Sequence, residues 1–468
     1  MPTPLTTLLR DSRNLATLAV PLALTQLAQV ALTTTDTVMM GVMGAEALAG
    51  GGLALVIFNQ LRTMGVGMVT AVGNQVSAAS ARADEDAELT DEAREEVRDI
   101  ARAALALATL SGVAGAIVIL LLGQAVAFLG QDPDVVDTAW PVLLALAPGL
   151  IPCLWFQAIR QFTVGMRRPQ ALLQITIASV AVNAALNWGL IHGTWFLPKL
   201  GLPGIGVATS CVYALTCLAL YASARRDPKL APLLDIRIWK ARPATVRRLT
   251  GLGVPIAATY GSEAGFFSVV ALIIGTFGSA ALAAHTAVNQ LIYIVFQIAV
   301  GLSHAASLNV SRELALDRVP AARRIKNTAL ACAAAVMAVV GVLYLAVPGL
   351  VLRPFLDPSA QDGRSATDIA TNLLLVAAVL QFFDCAQNIG VGLLRGLDDT
   401  KSGFRITLVG YWLIGLPAAW LLGHLAGLET LGVWLGLLTG LAATAFLLLR
   451  RYNQSLALRG AKEQSAAY

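Results

Sequence analysis

Charge is what this 468-residue chain has least of: Asp, Glu, Lys and Arg together make up 13%, about half the usual share of a water-soluble domain. With 57% hydrophobic residues and a mean hydropathy of +0.70, that scarcity excludes the soluble globular classes and leaves a polytopic membrane protein. Cysteine is also rare. Cys153, Cys211, Cys217, Cys332 and Cys385 all fall inside apolar runs at irregular spacing, which reads as small packing residues and not as a disulfide framework or a metal site. A Gly-rich phosphate loop ending in Gly-Lys-Ser/Thr is missing, so no ATP or soluble cofactor is expected. An intramembrane enzyme would need a Ser/His dyad, a Gly-x-Gly-Asp acid pair or a His-Glu-x-x-His helix, and none of these occurs. A cleavable leader is not expected either, because the first apolar run is long enough to span.

What is present is a series of apolar runs of about 20 residues, the length that crosses a hydrocarbon core. Twelve can be read, from Leu15–Met40 to Leu431–Leu449. Only helices of this kind satisfy their backbone in lipid without closing a barrel. Basic residues mark one side of the membrane. The N-terminus, the stretches Arg82 to Arg102, Arg167-Arg168 and Arg225 to Arg248, the loop holding Arg312 to Lys326, the stretch Arg395 to Arg405 and the tail carry 28 of the 33 Lys and Arg, against Lys199, Arg353 and Arg364 on the other side. By the positive-inside rule both termini are cytoplasmic. The net charge of +5 therefore belongs to loops beside a membrane and is no sign of a nucleic-acid partner.

The chain is also written twice. Val20-Pro21-x-Ala23 returns 234 residues later as Val254-Pro255-x-Ala257, Gly41-x-x-Gly44 as Gly275-x-x-Gly278, and Val66-Gly67 as Val300-Gly301. A gapless echo of this kind points to one duplicated structural unit. With an even number of spans per copy, the halves are parallel repeats related by an axis along the membrane normal. The expected organisation is residues 1–224 as a first lobe, 225–248 as a basic, proline-containing cytoplasmic linker, and 249–468 as a second lobe.

Ionisable groups kept in lipid mark function, since each costs about 2.5–3.5 kcal/mol at a helix centre on insertion scales. Glu263 lies at the middle of the seventh span and Asp384 within roughly 3 Å of the middle of the tenth, taking 1.5 Å per residue. Both belong to the second repeat. Two carboxylates together in a dry pocket do not both ionise cheaply, so either one keeps a proton or a cation lies between them. In the first repeat Asp36 stands about 13 Å outward of its span centre, and Asn183 and Asn187 share one face of the fifth span, one turn apart. These three form a candidate polar pocket. Alternatives stand beside each reading: Arg62 can pair with Asp36 as a structural ion pair, and the two asparagines can be interhelical hydrogen-bond glue. Arg160, at a cytoplasmic helix end, is expected to snorkel. The repeat does not copy the acids, for Asp36 aligns with Val270, Glu263 with Gln29 and Asp384 with Cys153.

Pro21, Gln26, Asp36 and Met40-Gly41-x-x-Gly44-x-x-x-Leu48-Ala49, then Gly253-x-Pro255 with Glu263, then Gln381-x-x-Asp384-x-x-Gln387 with Leu394-Arg395-Gly396 resemble the signatures of the multidrug and toxic compound extrusion (MATE) family. Asn183-Ala-Ala-Leu-Asn187-Trp188 and Tyr411-Trp412-x-x-Gly415-Leu416-Pro417 are similar to its NorM-type bacterial branch. The resemblance covers about Leu15 to Leu449. It implies an all-α fold of 12 transmembrane helices in two pseudo-symmetric six-helix bundles forming a V in the bacterial inner membrane. It further implies a monomeric antiporter that exports lipophilic, often cationic drugs or dyes in exchange for H⁺ or Na⁺. Glu263 and Asp384 then correspond to the cation-coupling carboxylates, with Na⁺ as a candidate ligand, while Asp36, Asn183, Asn187, Gln26 and Gln387 line the substrate cavity. Leu380 stands where the family commonly has a tyrosine, which removes one oxygen ligand and tilts the expectation toward H⁺ while leaving Na⁺ open. A major-facilitator antiporter lacks its Gly-x-x-x-Asp-Arg-x-Gly-Arg-Arg loop here. A lipid-linked oligosaccharide flippase calls for basic residues where this chain has carboxylates, and a passive channel stays open as a non-transporter alternative.

Overall fold

The structure, a computed structural model, describes residues 4–82, 90–129, 133–194, 197–356 and 363–466. Residues 84–89 of the acidic run Asp84 to Glu96 lie outside them, as do the side chains of Arg364 and Lys462. Among the described residues, 12 helices are long and apolar enough to cross a membrane: α1 (Leu9–Met43), α2 (Glu46–Arg82), α3 (Asp91–Ala125), α4 (Pro133–Gly165), α5 (Ala171–His192), α6 (Pro203–Arg226), α7 (Pro243–Gly275), α8 (Ser279–Ala315), α9 (Val319–Ala346), α10 (Ser365–Gly396), α11 (Thr400–Leu425) and α12 (Glu429–Ala461). The all-α, twelve-span reading of the sequence is borne out.

Two helices are irregular for local reasons. A 3₁₀ turn at Ala147–Gly149 interrupts α4 at Pro148, whose missing N–H breaks the α ladder. Helix α11 contains π-helical turns at Val409–Gly415 and Leu421–Leu425 around Pro417. Single π turns of this sort concentrate at functional sites, and the first of them carries Tyr411.

Packing divides the chain into two compact units, Leu24–Gly261 and Met1–Ala23 with Ser262–Tyr468. The duplication divides it at the linker instead, so each unit borrows the beginning of the other repeat's first helix. Small residues explain the exchange. In the first unit named, a Cβ added to Gly67 of α2 would lie 2.7 Å from the Ala257 Cα of α7. In the second, a Cβ on Gly301 of α8 would lie 2.7 Å from the backbone nitrogen of Ala23 on α1. Gly67 and Gly301 occupy equivalent places in the repeat, as do Ala23 and Ala257. Backbones approach this closely in lipid only where side chains are absent or very small.

The basic stretch expected to be a linker is fastened to the first turns of α3. Asp99 accepts hydrogen bonds from the Arg242 backbone N–H at 2.9 Å and the Thr245 hydroxyl at 2.5 Å. Arg102 pairs with Asp235 at 2.7 Å and with Glu95 at 2.9 Å. Hydrogen bonds from Arg237 first, and then the Arg102 guanidinium, hold the Asp235 carboxyl well below its usual range despite some desolvation. A carboxylate lowered in this way stabilises the fold above the ordinary aspartate range, and that contribution is lost as pH falls through the folded-state value.

Candidate functional site

Within Leu24–Gly261, three helices converge on Asp36. The asparagines of α5 both donate to its Oδ1, Asn183 at 2.7 Å and Asn187 at 2.8 Å, and Thr209 of α6 donates to its Oδ2 at 2.9 Å. Asp36 is 1% exposed and the asparagines 0%, so the cluster is dry. The i, i+4 spacing on α5 is what lets two amides reach one oxygen. The Oδ1 atoms of Asn183 and Asn187 have no hydrogen-bond partner. Buried carbonyl oxygens left in that state cost about 1–3 kcal/mol each, and they are the hard donors that an alkali cation or a water takes.

The alternative ion pair is not formed: Asp36 is held by Asn183, Asn187 and Thr209, while Arg62 Nε donates to Asn59 Oδ1 at 3.1 Å. Arg160 does not snorkel. It is 2% exposed and its Nη1 donates to Gln157 Oε1 at 3.0 Å, because its helix end is packed inside the unit. Gln26, half-buried, precedes Asp36 by ten positions on α1, about 15 Å along the axis, and so stands apart from the cluster.

The Asp36 cluster separates structure from charge. Asp36→Leu should lower the melting temperature in detergent, since it strips both asparagine amides of their acceptor at about 1–3 kcal/mol each. Asp36→Asn keeps an acceptor for them and should melt close to the parent. A melting temperature as low as that of Asp36→Leu would show that the charge, and not the acceptor, holds the cluster.

The other unit holds Glu263 of α7 and Asp384 of α10. Asp384 is 6% exposed and Glu263 half-buried. Tyr411 of α11 donates its hydroxyl to Glu263 Oε1 at 3.2 Å, and its ring stacks on Phe266 with centroids 4.8 Å apart. Trp412 ties the same turn to α7 by donating to Ser262 Oγ at 2.8 Å. Among the described residues neither carboxylate has a Lys or Arg salt-bridge partner, and no group of three or more His, Cys, Asp or Glu gathers. Gln387, one turn beyond Asp384, is 1% exposed with an unpartnered Oε1.

Leu380 is buried in the apolar core of this unit. The hydroxyl that meets Glu263 comes from Tyr411 on α11, which was legible as a motif residue but not as a partner of Glu263. Thr209 was missed for want of any local signal, being a lone threonine on α6. The site residues from the sequence thus fall into two clusters in two units, with Gln26 outside both.

Comparisons with known proteins bear on the family and the fold. The MatE family model matches residues 21–189 and 255–421, one match in each repeat. The chain is 36% identical over 429 residues to a protein named as a probable multidrug resistance protein NorM of Pseudomonas aeruginosa, covering 92% of this chain and 86% of that one. A probable NorM of Burkholderia mallei is 33% identical, covering 98% and 96%. Among solved structures, the outward-facing conformation of a multidrug resistance MATE family transporter of the MOP superfamily superposes with a TM-score of 0.86 at 15% identity, over 98% of this chain and all of the other. The eukaryotic MATE transporter AtDTX14 gives 0.80 at 19% identity over 97% and 99%.

Proposed function

Because this chain belongs to the multidrug and toxic compound extrusion family, we propose that it is a secondary transporter exporting lipophilic, cationic compounds from the cytoplasm in exchange for H⁺ or Na⁺. What supports this reading is that Glu263 and Asp384 share one unit, have no Lys or Arg salt-bridge partner among the described residues, and that Glu263 is met by the Tyr411 hydroxyl. Mutual repulsion in a poorly solvated pocket is relieved by any bound positive charge, whether a proton, a sodium ion or the ammonium of a drug. Ions and cargo therefore compete for one seat. Exchange then requires only that each favour a different access state. Tyr411 contributes a hydroxyl that serves a proton or an alkali ion equally well, so the coupling ion is not narrowed by Leu380. The relatives' names, which speak of multidrug resistance, support the cargo class. The basic loops support an orientation with both termini in the cytoplasm, the twelve spans and the bacterial relatives support inner-membrane residence, and the reading takes the chain to act as a monomer.

The test is uptake of a cationic dye by proteoliposomes holding the purified chain, with a pH gradient and a Na⁺ gradient imposed separately. Accumulation against the dye's own gradient, driven by one ion and collapsed by the matching ionophore, is the expected result. Equilibration without accumulation would make the protein a passive channel.

A further inference from the structure

The linker between the repeats presents a face that the site residues leave unused. Residues 225–248 carry eight basic side chains against two acids, Asp227 and Asp235. Both acids are already paired, Asp227 with Arg168 and Asp235 with Arg102 and Arg237. Lys240, Arg242 and Arg247 are exposed and make no salt bridge among the described residues. What this stretch turns outward is therefore positive.

Among these charges stand two large apolar side chains, Trp239 at 76% exposure and Ile236 at 42%. A tryptophan this bare needs a reason, since the residue type is buried on average. The 3₁₀ turn Ile238–Lys240 that carries it is held from both ends. On one side Arg102 clamps Asp235, and on the other Asp99 accepts from the Arg242 backbone N–H and the Thr245 hydroxyl. Arg98 adds a hydrogen bond from Nη2 to the Pro232 carbonyl at 2.9 Å. These three residues of α3 straddle Ile100, where its apolar run opens, and together span only about 6 Å of the helix axis. The turn accordingly lies at the height where headgroups meet hydrocarbon, which is where tryptophan concentrates in membrane proteins.

We propose that residues 236–247 form a docking surface for anionic phospholipid, with Lys240, Arg242 and Arg247 on the headgroup phosphates and Trp239 and Ile236 inserted between the headgroups. A soluble phosphate ester or an acidic protein would use the charges and leave the two apolar side chains in water, whereas a lipid surface takes both. Because the turn is already fastened to α3, docking orders little that is not ordered beforehand. Each basic side chain beside an anionic membrane strengthens binding by about fivefold. The surface requires a membrane around the chain but no transport through it, so it stands or falls apart from the exchange reading.

The experiment follows tryptophan fluorescence of the purified full chain in detergent micelles as phosphatidylglycerol or phosphatidylcholine with brominated acyl chains is added. Bromine quenches tryptophan at contact, and the quenching lost in Trp239→Leu is the share that reports on this turn. Phosphatidylglycerol should quench that share at a mole fraction about fivefold or more below phosphatidylcholine. Lys240→Gln and Arg247→Gln, each compared with its own Trp239→Leu double variant, should raise the phosphatidylglycerol midpoint about fivefold. Added salt should act in the same direction, and melting temperatures without lipid should match the parent because both side chains are exposed. Equal midpoints for the two lipids, or midpoints that neither charge substitution moves, would overturn the docking surface. So would a Trp239 share that neither lipid quenches and soluble iodide does, since the face would then look into water toward a soluble acidic partner.

Discussion

Ion-driven efflux is expected to fall by on the order of 5- to 150-fold, the range of a coupling free energy between two ligands, when Glu263 is replaced by Gln or Asp384 by Asn. Each substitution keeps the shape of the side chain and removes the repulsion that a bound cation relieves. Glu263→Gln also retains an oxygen for the Tyr411 hydroxyl, which now stands 3.2 Å from Oε1, so the turn holding α11 to α7 should stay in place. Melting temperature in detergent is therefore expected near the parental value. Counterflow, in which drug exchanges for drug without ion movement, should survive better than gradient-driven uptake. Full coupled transport in either variant would show that the repelling pair is not the seat of exchange.

Gly67→Val and Gly301→Val are expected to cost about 1–3 kcal/mol each, the usual penalty for overfilling a packed interior, and to stop transport. At Gly67 the obstruction is backbone, with the Ala257 Cα at 2.7 Å and its nitrogen at 2.8 Å from the position of a new Cβ. A flexible side chain can swing away, but a helix has to move. Gly52→Ala, where an added Cβ meets nothing within 4 Å, is the control and should melt and transport like the parent. Thermal denaturation and dye uptake on the three variants decide the matter; parental melting in Gly67→Val would show that α2 and α7 are not held by this contact.

Much of the fold was legible because lipid leaves so few solutions. Twelve apolar runs became twelve helices, and the echo from Val20 to Val254 reappears as two equivalent Gly–Ala crossings. Site residues were legible where the cost of burial announces them. Asp36, Glu263 and Asp384 stand out in apolar helices, and the pairing of Asn183 with Asn187 follows from their spacing on α5. Geometry across helices was not legible. Nothing local to Thr209 marks it as the third donor to Asp36, and Tyr411 reaches Glu263 from a π turn that no periodicity announces. Arg160 was misread for the same reason: depth along a helix gave it a route to water, while it lies buried and donates to Gln157, three positions away on its own helix. The alternative pairing of Arg62 with Asp36 is not the one formed; Arg62 Nε donates to Asn59.

The exchange of helix starts between the two compact units bears on how such a chain can be taken apart. A cut in the stretch after Arg226 would separate the duplicated halves cleanly on paper. Yet the first fragment would lack residues 243–261, which fill the groove at Gly67, and the second would lack the segment up to Ala23 that covers Gly301. Each piece would present a bare, glycine-floored trough to lipid. Co-expressed, the two fragments have a direct reason to find each other, as two hands do when each holds the other's wrist.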